Sequence, residues 1–129
     1  MSTTKEYDDI PGTYVFDGTQ NRKGYHLNMF CMTLNEAENR EKFRADPEGY
    51  LSTFPMTDAQ HKAVVDRDWI GMLRLGGNIY YTFKIAIFDG MTMQDAGAAQ
   101  SNMTVEDFKQ MLLDGGRSVE GNRYKSEWK

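Results

Sequence analysis

Signals that begin and end helices recur along this chain of 129 residues and divide it into short segments. Asp46-Pro47 combines a good N-cap residue with proline, which is favoured at the first helical position. Thr57 with Gln60 three residues later forms a capping-box pattern. Gly76-Gly77 and Gly115-Gly116 are helix stops, because glycine readily adopts the left-handed backbone of a helix C-terminus. This pattern of starts and stops predicts an all-α fold of four to six helices with short loops and without a convincing sheet.

Apolar residues at helical spacing place the helices between these signals. Leu27, Phe30, Leu34 and Ala37 form one stripe of the first helix. Gly24 lies within the same segment, where glycine lowers helix stability, so it is a candidate for the true start of the helix. The predicted helices span residues 20–45, 47–54, 57–75 and 78–88, and a last helix runs from Thr104 to Gly115-Gly116.

The segment at 78–88 has two apolar faces and an alternative assignment. One side of the predicted helix carries Tyr80, Phe83, Lys84 and Ile87, and another carries Tyr81, Ile85 and Phe88. The segment is rich in aromatic and β-branched residues, and periodicity alone cannot separate a short buried strand from a buried helix. A strand is therefore the alternative at this position. Residues 91–103 are predicted to form a loop with at most one helical turn.

The length of the chain predicts one domain over residues 1–129. Within it we expect an irregular arm at 1–18, a helical core at 19–116 and a polar tail at 117–129. The arm contains a turn signal at Ile10-Pro11-Gly12-Thr13. The chain is 40% hydrophobic, which is typical of a globular fold. Its nine methionines are either ordinary core filler or partly the lining of a partner interface, because methionine suits adaptable contact surfaces.

The charge pattern argues against a nucleic-acid binder, since the net charge is −4 and no basic run exceeds two residues. The longest strongly apolar run, Ile85–Phe88, is far shorter than the roughly 20 residues that cross a bilayer, so no membrane partner is expected. Cys31 is the single cysteine, and the polar N-terminal residues contain no apolar signal core. These features favour a cytoplasmic location.

Familiar catalytic motifs are not found in the sequence. Cys31 lies beside Phe30 on the first predicted helix and is interpreted as a core residue. His26 is a poor partner for a Cys–His pair, because residues five positions apart lie on different faces of a helix. The glycine pairs follow helices instead of opening them, and neither a Walker pattern nor Gly-x-Gly-x-x-Gly occurs. The chain is therefore not predicted to be an enzyme by itself.

Several short motifs occur in a distinctive order. They are Asp9-Ile10-Pro11-Gly12-Thr13, Arg22-Lys23-Gly24-Tyr25, Leu27-Asn28, Ala37-Glu38-Asn39-Arg40-Glu41, Gly76-Gly77-Asn78-Ile79-Tyr80, Met103-Thr104 and Asp114-Gly115-Gly116-Arg117-Ser118. Together with the block from Arg22 to Phe43, this order resembles the alpha, or small, subunit of protocatechuate 4,5-dioxygenase, a type II extradiol ring-cleavage enzyme. The resemblance extends from about Asp8 to Ser118, and none of its motifs is catalytic.

The resemblance implies a division of labour between two chains. A small helical alpha subunit packs on a larger beta subunit, which holds Fe(II) and the acid–base histidine. The alpha subunit covers the mouth of the active site, where a catechol-type substrate binds, and the assembly usually contains two alpha and two beta chains. Covering the site excludes water and holds the aromatic ring against iron and O2.

The number of histidines is consistent with an iron site on another chain. An extradiol site needs two histidines and one carboxylate as ligands, and it benefits from a further group that moves protons. This chain has two histidines, His26 and His61, which are not at ligand spacing. Both are interpreted as structural or surface residues. No catalytic residue and no metal ligand is assigned to this chain.

The family's lid over the substrate corresponds to Met91, Thr92, Met93 and Gln94. Family members that act on protocatechuate resemble Lys-Ser-Phe-Gln at these positions, with the aromatic ring near the substrate. In this chain Met93 takes the place of the phenylalanine and Met91 that of the lysine. The family's Gly-Ser-Met-Thr-Gly corresponds to Ala98–Asn102. These departures predict a related diol that differs from protocatechuate, and neutral drift in a loop is the alternative.

Two functions remain open from the sequence. The first is the non-metal-binding small subunit of an Fe(II)-dependent dioxygenase that opens a protocatechuate-like catecholic ring with O2. The second is a stand-alone helical interaction or regulatory domain without a catalytic partner. A beta subunit that binds this chain and gains ring-cleavage activity would separate them.

Overall fold

The computed structural model describes residues 5–6 and 14–116, which form nine α-helices and no strand. The helices are α1 (Gly18–Lys23), α2 (Tyr25–Thr33), α3 (Ala37–Ala45), α4 (Pro47–Leu51), α5 (Asp58–Val65), α6 (Trp69–Arg74), α7 (Ile79–Phe88), α8 (Met93–Gln100) and α9 (Val105–Leu113). The all-α prediction is confirmed, and the strand alternative at 78–88 is wrong because α7 is a helix. The predicted turn at Ile10–Thr13 and the polar tail at 117–129 lie outside the described residues.

The single helix predicted at 20–45 is wrong, because the structure divides this segment into α1, α2 and α3. Gly24 separates the first two helices and precedes Tyr25, the first residue of α2. A Cβ atom on Gly24 would lie 1.9 Å from the carbonyl oxygen of Gly76. The close approach of these two backbones therefore requires glycine at position 24, and Gly24 marks the start of α2.

The second break, between α2 and α3, is stabilised by side chains of α3. Arg40 Nη1 donates hydrogen bonds to the carbonyl oxygens of Leu34 at 2.9 Å and Asn35 at 3.0 Å. Asn39 Nδ2 donates to the carbonyl oxygen of Thr33 at 3.0 Å. The last carbonyl groups of a helix have no partner within the helix. The two side chains supply partners for them and so favour a bend over a continuous helix.

The capping box that begins α5 is confirmed, but the helix predicted to continue to Leu75 breaks after residue 65. Arg67 adopts a left-handed backbone conformation with φ 53°. Its guanidinium group binds the carboxylate of Asp89 through two hydrogen bonds of 2.6 and 3.0 Å. Asp68 then begins α6 by accepting a hydrogen bond from the N–H of Gly71 at 2.9 Å. The chain therefore begins a new helix at the N-cap Asp68 instead of continuing α5.

Helix α4 begins as predicted and ends early. The Asp46 side chain accepts a hydrogen bond from the N–H of Gly49 at 3.1 Å, which confirms the N-cap. The helix ends at Leu51 instead of residue 54. The hydroxyls of Ser52 and Thr53 each donate to a backbone carbonyl of the preceding turn at 2.7 Å. Such local bonds from hydroxyls to the backbone compete with helix continuation.

One hydrophobic core contains residues from each of the helices α2 to α8. Its most deeply buried large side chains are Leu27, Phe30, Phe43, Leu51, Met72 and Ile85. The rings of Phe30 and Phe43 meet edge to face, with centroids 5.2 Å apart. Cys31 is fully buried, as predicted, and this burial raises the pKa of its thiol far above the ordinary value. A thiol that stays protonated is a poor nucleophile, so Cys31 is a core residue and not a reactive one.

Two buried polar side chains, Asn28 of α2 and Gln60 of α5, bind backbone groups at the ends of α1 and α6 and at the start of α7. Asn28 Nδ2 donates to the carbonyl oxygen of Gly76 at 3.1 Å, and Asn28 Oδ1 accepts from the N–H of Asn78 at 2.9 Å. Gln60 Nε2 donates to the carbonyl oxygens of Lys23 and Leu75, each at 3.0 Å. Since buried polar groups are costly unless they are paired, these bonds specify how the helix ends meet.

Candidate functional site

A concave apolar groove lies between α7, α8 and α9 and encloses about 1000 Å³. Its walls are formed by Ile79, Tyr80, Phe83, Lys84, Ile87, Thr92, Met93, Gln94, Ala96, Gly97, Gln100, Phe108 and Leu112. Most of these side chains are apolar, and Lys84 is the one charged residue among them. Concave, mostly apolar surfaces with a few polar groups are typical of binding sites.

Helix α9 forms one wall of the groove. The rest of the described chain covers its apolar face only in part. Thr104 begins this helix, as predicted, by accepting a hydrogen bond from the N–H of Asp107 at 3.1 Å. Gly97 of α8 allows the close approach of α9, since a Cβ atom there would lie 2.6 Å from Cζ of Phe108. No residue of α9 is fully buried, and Leu112 is 49% exposed. The apolar face of α9 is therefore open to a further contact.

The opposite wall is formed by one face of α7, which carries Tyr80, Phe83, Lys84 and Ile87. The other predicted face, which includes Ile85, points toward the core. Tyr80 is 70% exposed and Ile87 is 58% exposed, whereas Ile85 is fully buried. The ammonium group of Lys84 lies 4.9 Å from the centroid of the Tyr80 ring. Contiguous exposed apolar surface is uncommon in soluble monomers and commonly marks an interaction site. The arrangement favours a surface that another molecule covers.

Helix α8 forms the third wall, and here the predicted loop at 91–103 is wrong. The N–H of Asp95 donates to Oγ1 of Thr92 at 3.1 Å, and the N–H of Thr92 donates to Oδ2 of Asp95 at 2.8 Å. This reciprocal capping box begins the helix, and its hydrogen bonds lower the pKa of the Asp95 carboxyl. The signal was present in the sequence as Thr-x-x-Asp. Residues 93–100 therefore line the groove as a helix and not as a loop.

The four predicted lid residues lie at the start of α8, but they do not share one environment. Thr92, Met93 and Gln94 line the groove. Met93 is 73% exposed, so its side chain is accessible to a bound molecule. Met91 instead packs against the core, and its N–H donates to the carbonyl oxygen of Ala86 at 2.9 Å. The lid role of these residues remains a prediction, and Met93 is the side chain best placed for it.

Neither histidine lines the groove. His26 is exposed with its ring edge-on to Tyr25, at 5.2 Å between centroids, and His61 Nε2 lies 2.6 Å from Oε2 of Glu48. Among the described residues, no three His, Cys, Asp or Glu side chains come close enough together to hold a metal ion. This part of the chain therefore offers no ligand set into which Fe(II) fits. No helix within it is long and apolar enough to cross a membrane.

Comparisons with known proteins identify relatives of this domain. The family model for the aromatic-ring-opening dioxygenase LigAB, LigA subunit, matches residues 27–113. Gallate dioxygenase from Pseudomonas putida is 27% identical over 101 residues, which cover 78% of this chain and 30% of that protein. The chain thus spans less than a third of the length of this curated relative.

The region matched by the family model runs from α2 to the end of α9 and includes all three walls of the groove. It therefore covers the core, Gly76 and the predicted lid residues, while Gly24 lies just before it. This chain belongs to the family of the LigA subunit of aromatic-ring-opening dioxygenases.

Proposed function

We propose that this chain is the small, non-metal-binding subunit of an Fe(II)-dependent extradiol dioxygenase. In the proposal, a larger LigB-type beta subunit holds the iron and the acid–base histidine, and two copies of each chain assemble. The enzyme opens a protocatechuate-like catecholic ring with O2. The observation that carries the proposal is the family match over residues 27–113. The gallate dioxygenase relative supports it. In that protein the segment similar to this chain makes up 30% of the length and is part of one longer polypeptide.

The groove is proposed to be the face that meets the beta subunit. Tyr80, Ile87 and Met93 are all more than half exposed and would lose water on docking. Burial of apolar surface contributes roughly 25 cal/mol per Å², so covering this groove favours association. A chain seated there also excludes water from the mouth of a neighbouring active site. The proposal assigns this chain binding and covering roles, and no chemical step.

The proposed substrate is a catechol that carries a carboxyl group. Gallate, named in the relative from Pseudomonas putida, is such a ring with an additional hydroxyl. At the lid position, Met93 presents a flexible thioether where the resemblance places a rigid aromatic ring. Since methionine adapts its shape to irregular surfaces, it suits a ring with different substituents. The lid residue is therefore proposed to affect selectivity among substituted catechols.

Co-expression of the chain with the LigB-type subunit of its own source organism tests the proposed function. The chain alone is expected to bind no iron and to show no O2 consumption with catechols. The two chains together are expected to co-purify and to cleave the ring, with one iron per beta subunit measured by elemental analysis. Failure of the two chains to associate would contradict the proposal. A stable lone monomer or homodimer would then favour the interaction-domain alternative.

The substitution Met93→Phe in the assembled enzyme tests the lid. It is expected to change the ratio of kcat/KM between carboxylated and methoxylated catechols by about fivefold, because a differential contact worth about 1 kcal/mol changes selectivity by that factor. Met32→Phe is the matched control, since Met32 is exposed on α2 and does not line the groove. Equal ratios for wild type, Met93→Phe and Met32→Phe would remove Met93 from the lid.

A further inference from the structure

A positively charged pocket adjoins the apolar groove on the other side of α7. It encloses about 440 Å³ and is lined by Leu34, Asn35, Arg40, Arg44, Lys84, Ile87 and Phe88. Lys84 and Ile87 line both the pocket and the groove. A molecule that covers the groove therefore reaches the edge of the pocket. Any partner that fills the groove therefore meets Lys84.

The cations of the pocket are only partly neutralised by the residues that the structure describes. Arg44 forms an ion pair with Glu41. Arg40 uses Nη1 to donate to the backbone carbonyls of Leu34 and Asn35, which carry no net charge. No carboxylate of the described residues lies within ion-pair distance of Lys84. Among the described residues, Arg40, Arg44 and Lys84 thus share one carboxylate in an ion pair, on a chain whose net charge is −4.

Aromatic rings hold two of these cations beside the apolar surface. The guanidinium carbon of Arg44 lies 4.9 Å from the centroid of the Phe88 ring. The ammonium group of Lys84 lies at the same distance from the Tyr80 ring. Cation–π contacts of this kind orient a charged group over a ring face. The ammonium group of Lys84 is therefore held at the groove, and the guanidinium group of Arg44 is held beside Phe88 in the adjoining pocket.

We propose that the large subunit that covers the groove places an aspartate or glutamate side chain into this basic pocket. This inference rests on the proposed function, because it names the chemistry of the partner at the same face. Covering Lys84 without an opposite charge would leave a desolvated, unpaired ammonium group, which strongly disfavours association. A carboxylate supplied by the partner removes this penalty and fixes the register of docking. Charge complementarity thus selects an acidic protein surface as the occupant.

Charge reversal at Lys84 in the chain of 129 residues tests the inference. Lys84→Glu is expected to lower the association rate constant with the LigB-type subunit by roughly tenfold at low salt, because charges at an interface steer association. The control is Lys62→Glu, which changes the net charge equally at an exposed site on α5 away from the pocket. Stopped-flow association in low and high salt gives the readout, and melting curves confirm that both variants fold.

The outcomes separate this inference from the proposed function. If wild-type chain and Lys62→Glu bind equally and Lys84→Glu binds slowly, with a difference that shrinks in high salt, the inference is supported. Recovery of fast binding by an Asp→Lys or Glu→Lys change in the partner would identify the opposing group. If wild type binds and Lys84→Glu matches Lys62→Glu, the inference is wrong while the proposed function stands. If Lys84→Glu associates at the wild-type rate but has a raised KM for carboxylated catechols, the inference is also wrong. That result would show that Lys84 binds the carboxylate of the substrate.

Discussion

Replacing Gly24 with alanine is expected to destabilise the domain by about 3 kcal/mol, which is a large share of the stability of a small domain. The added Cβ atom would lie 1.9 Å from the oxygen and 2.3 Å from the carbon of the Gly76 carbonyl group. Both contacts are to backbone, so no flexible side chain can move aside. Gly76 itself has φ 93° and is held by the hydrogen bond from Asn28. Urea unfolding of the isolated chain, followed by circular dichroism, measures the loss.

Gly18→Ala is the matched control for this prediction. Gly18 is also a glycine of the α1 region, but nothing lies within 4 Å of a Cβ atom built on it. Alanine favours helix over glycine, so Gly18→Ala is expected to leave the free energy of unfolding unchanged or to raise it by up to about 1 kcal/mol. Equal free energies of unfolding for the two variants would show that the α1–α2 junction does not approach Gly76 as described.

Replacing Leu112 with glutamate is expected to weaken binding to the LigB-type subunit at least a hundredfold. Leu112 lines the groove and is 49% exposed in the isolated chain. Under the proposed function its remaining surface is covered by the partner, and a carboxylate there would be buried against mostly apolar surface. Such burial costs several kcal/mol, and each 1.4 kcal/mol changes the dissociation constant tenfold. Isothermal titration calorimetry with the purified subunits gives the dissociation constant.

The neighbouring residue supplies the control, because Leu113 is 81% exposed and does not line the groove. Leu113→Glu adds the same charge at the same end of α9. Both variants are expected to stay within about 1 kcal/mol of the wild-type free energy of unfolding, since neither leucine is buried in the chain itself. A dissociation constant that changes equally in both variants would mean that the partner does not occupy the groove.

Local capping chemistry was predictable from the sequence because it acts within three or four residues. The N-cap at Asp46, the capping box at Thr57 and the start of α9 at Thr104 are all confirmed. The capping box at Thr92 and Asp95 belongs to the same class, and its helix was missed although the pattern is present. The small and polar residues of α8 are also common in loops, so the composition of this segment does not distinguish a helix from a loop.

The breaks inside the long predicted helices depend on distant parts of the chain. Gly24 ends α1 because the backbone of Gly76 lies against it. The turn between α5 and α6 includes the left-handed Arg67, which the carboxylate of Asp89 holds from the end of α7. The spacing of apolar residues along a helix contains no information about the contact of Gly24 with Gly76 or of Arg67 with Asp89. Periodicity therefore predicted the helices, while the contacts determined where they stop.

The fold class, the resemblance to the LigA subunit and the two apolar faces of α7 could all be predicted from the amino-acid sequence. It also identified Met91–Gln94 as the candidate lid. The tertiary structure decided that Thr92, Met93 and Gln94 share a groove with Lys84, Phe108 and Leu112, and that Met91 turns toward the core. The physical reason is that a helix face is a property of local spacing, whereas a groove exists only where three helices leave their apolar faces partly uncovered.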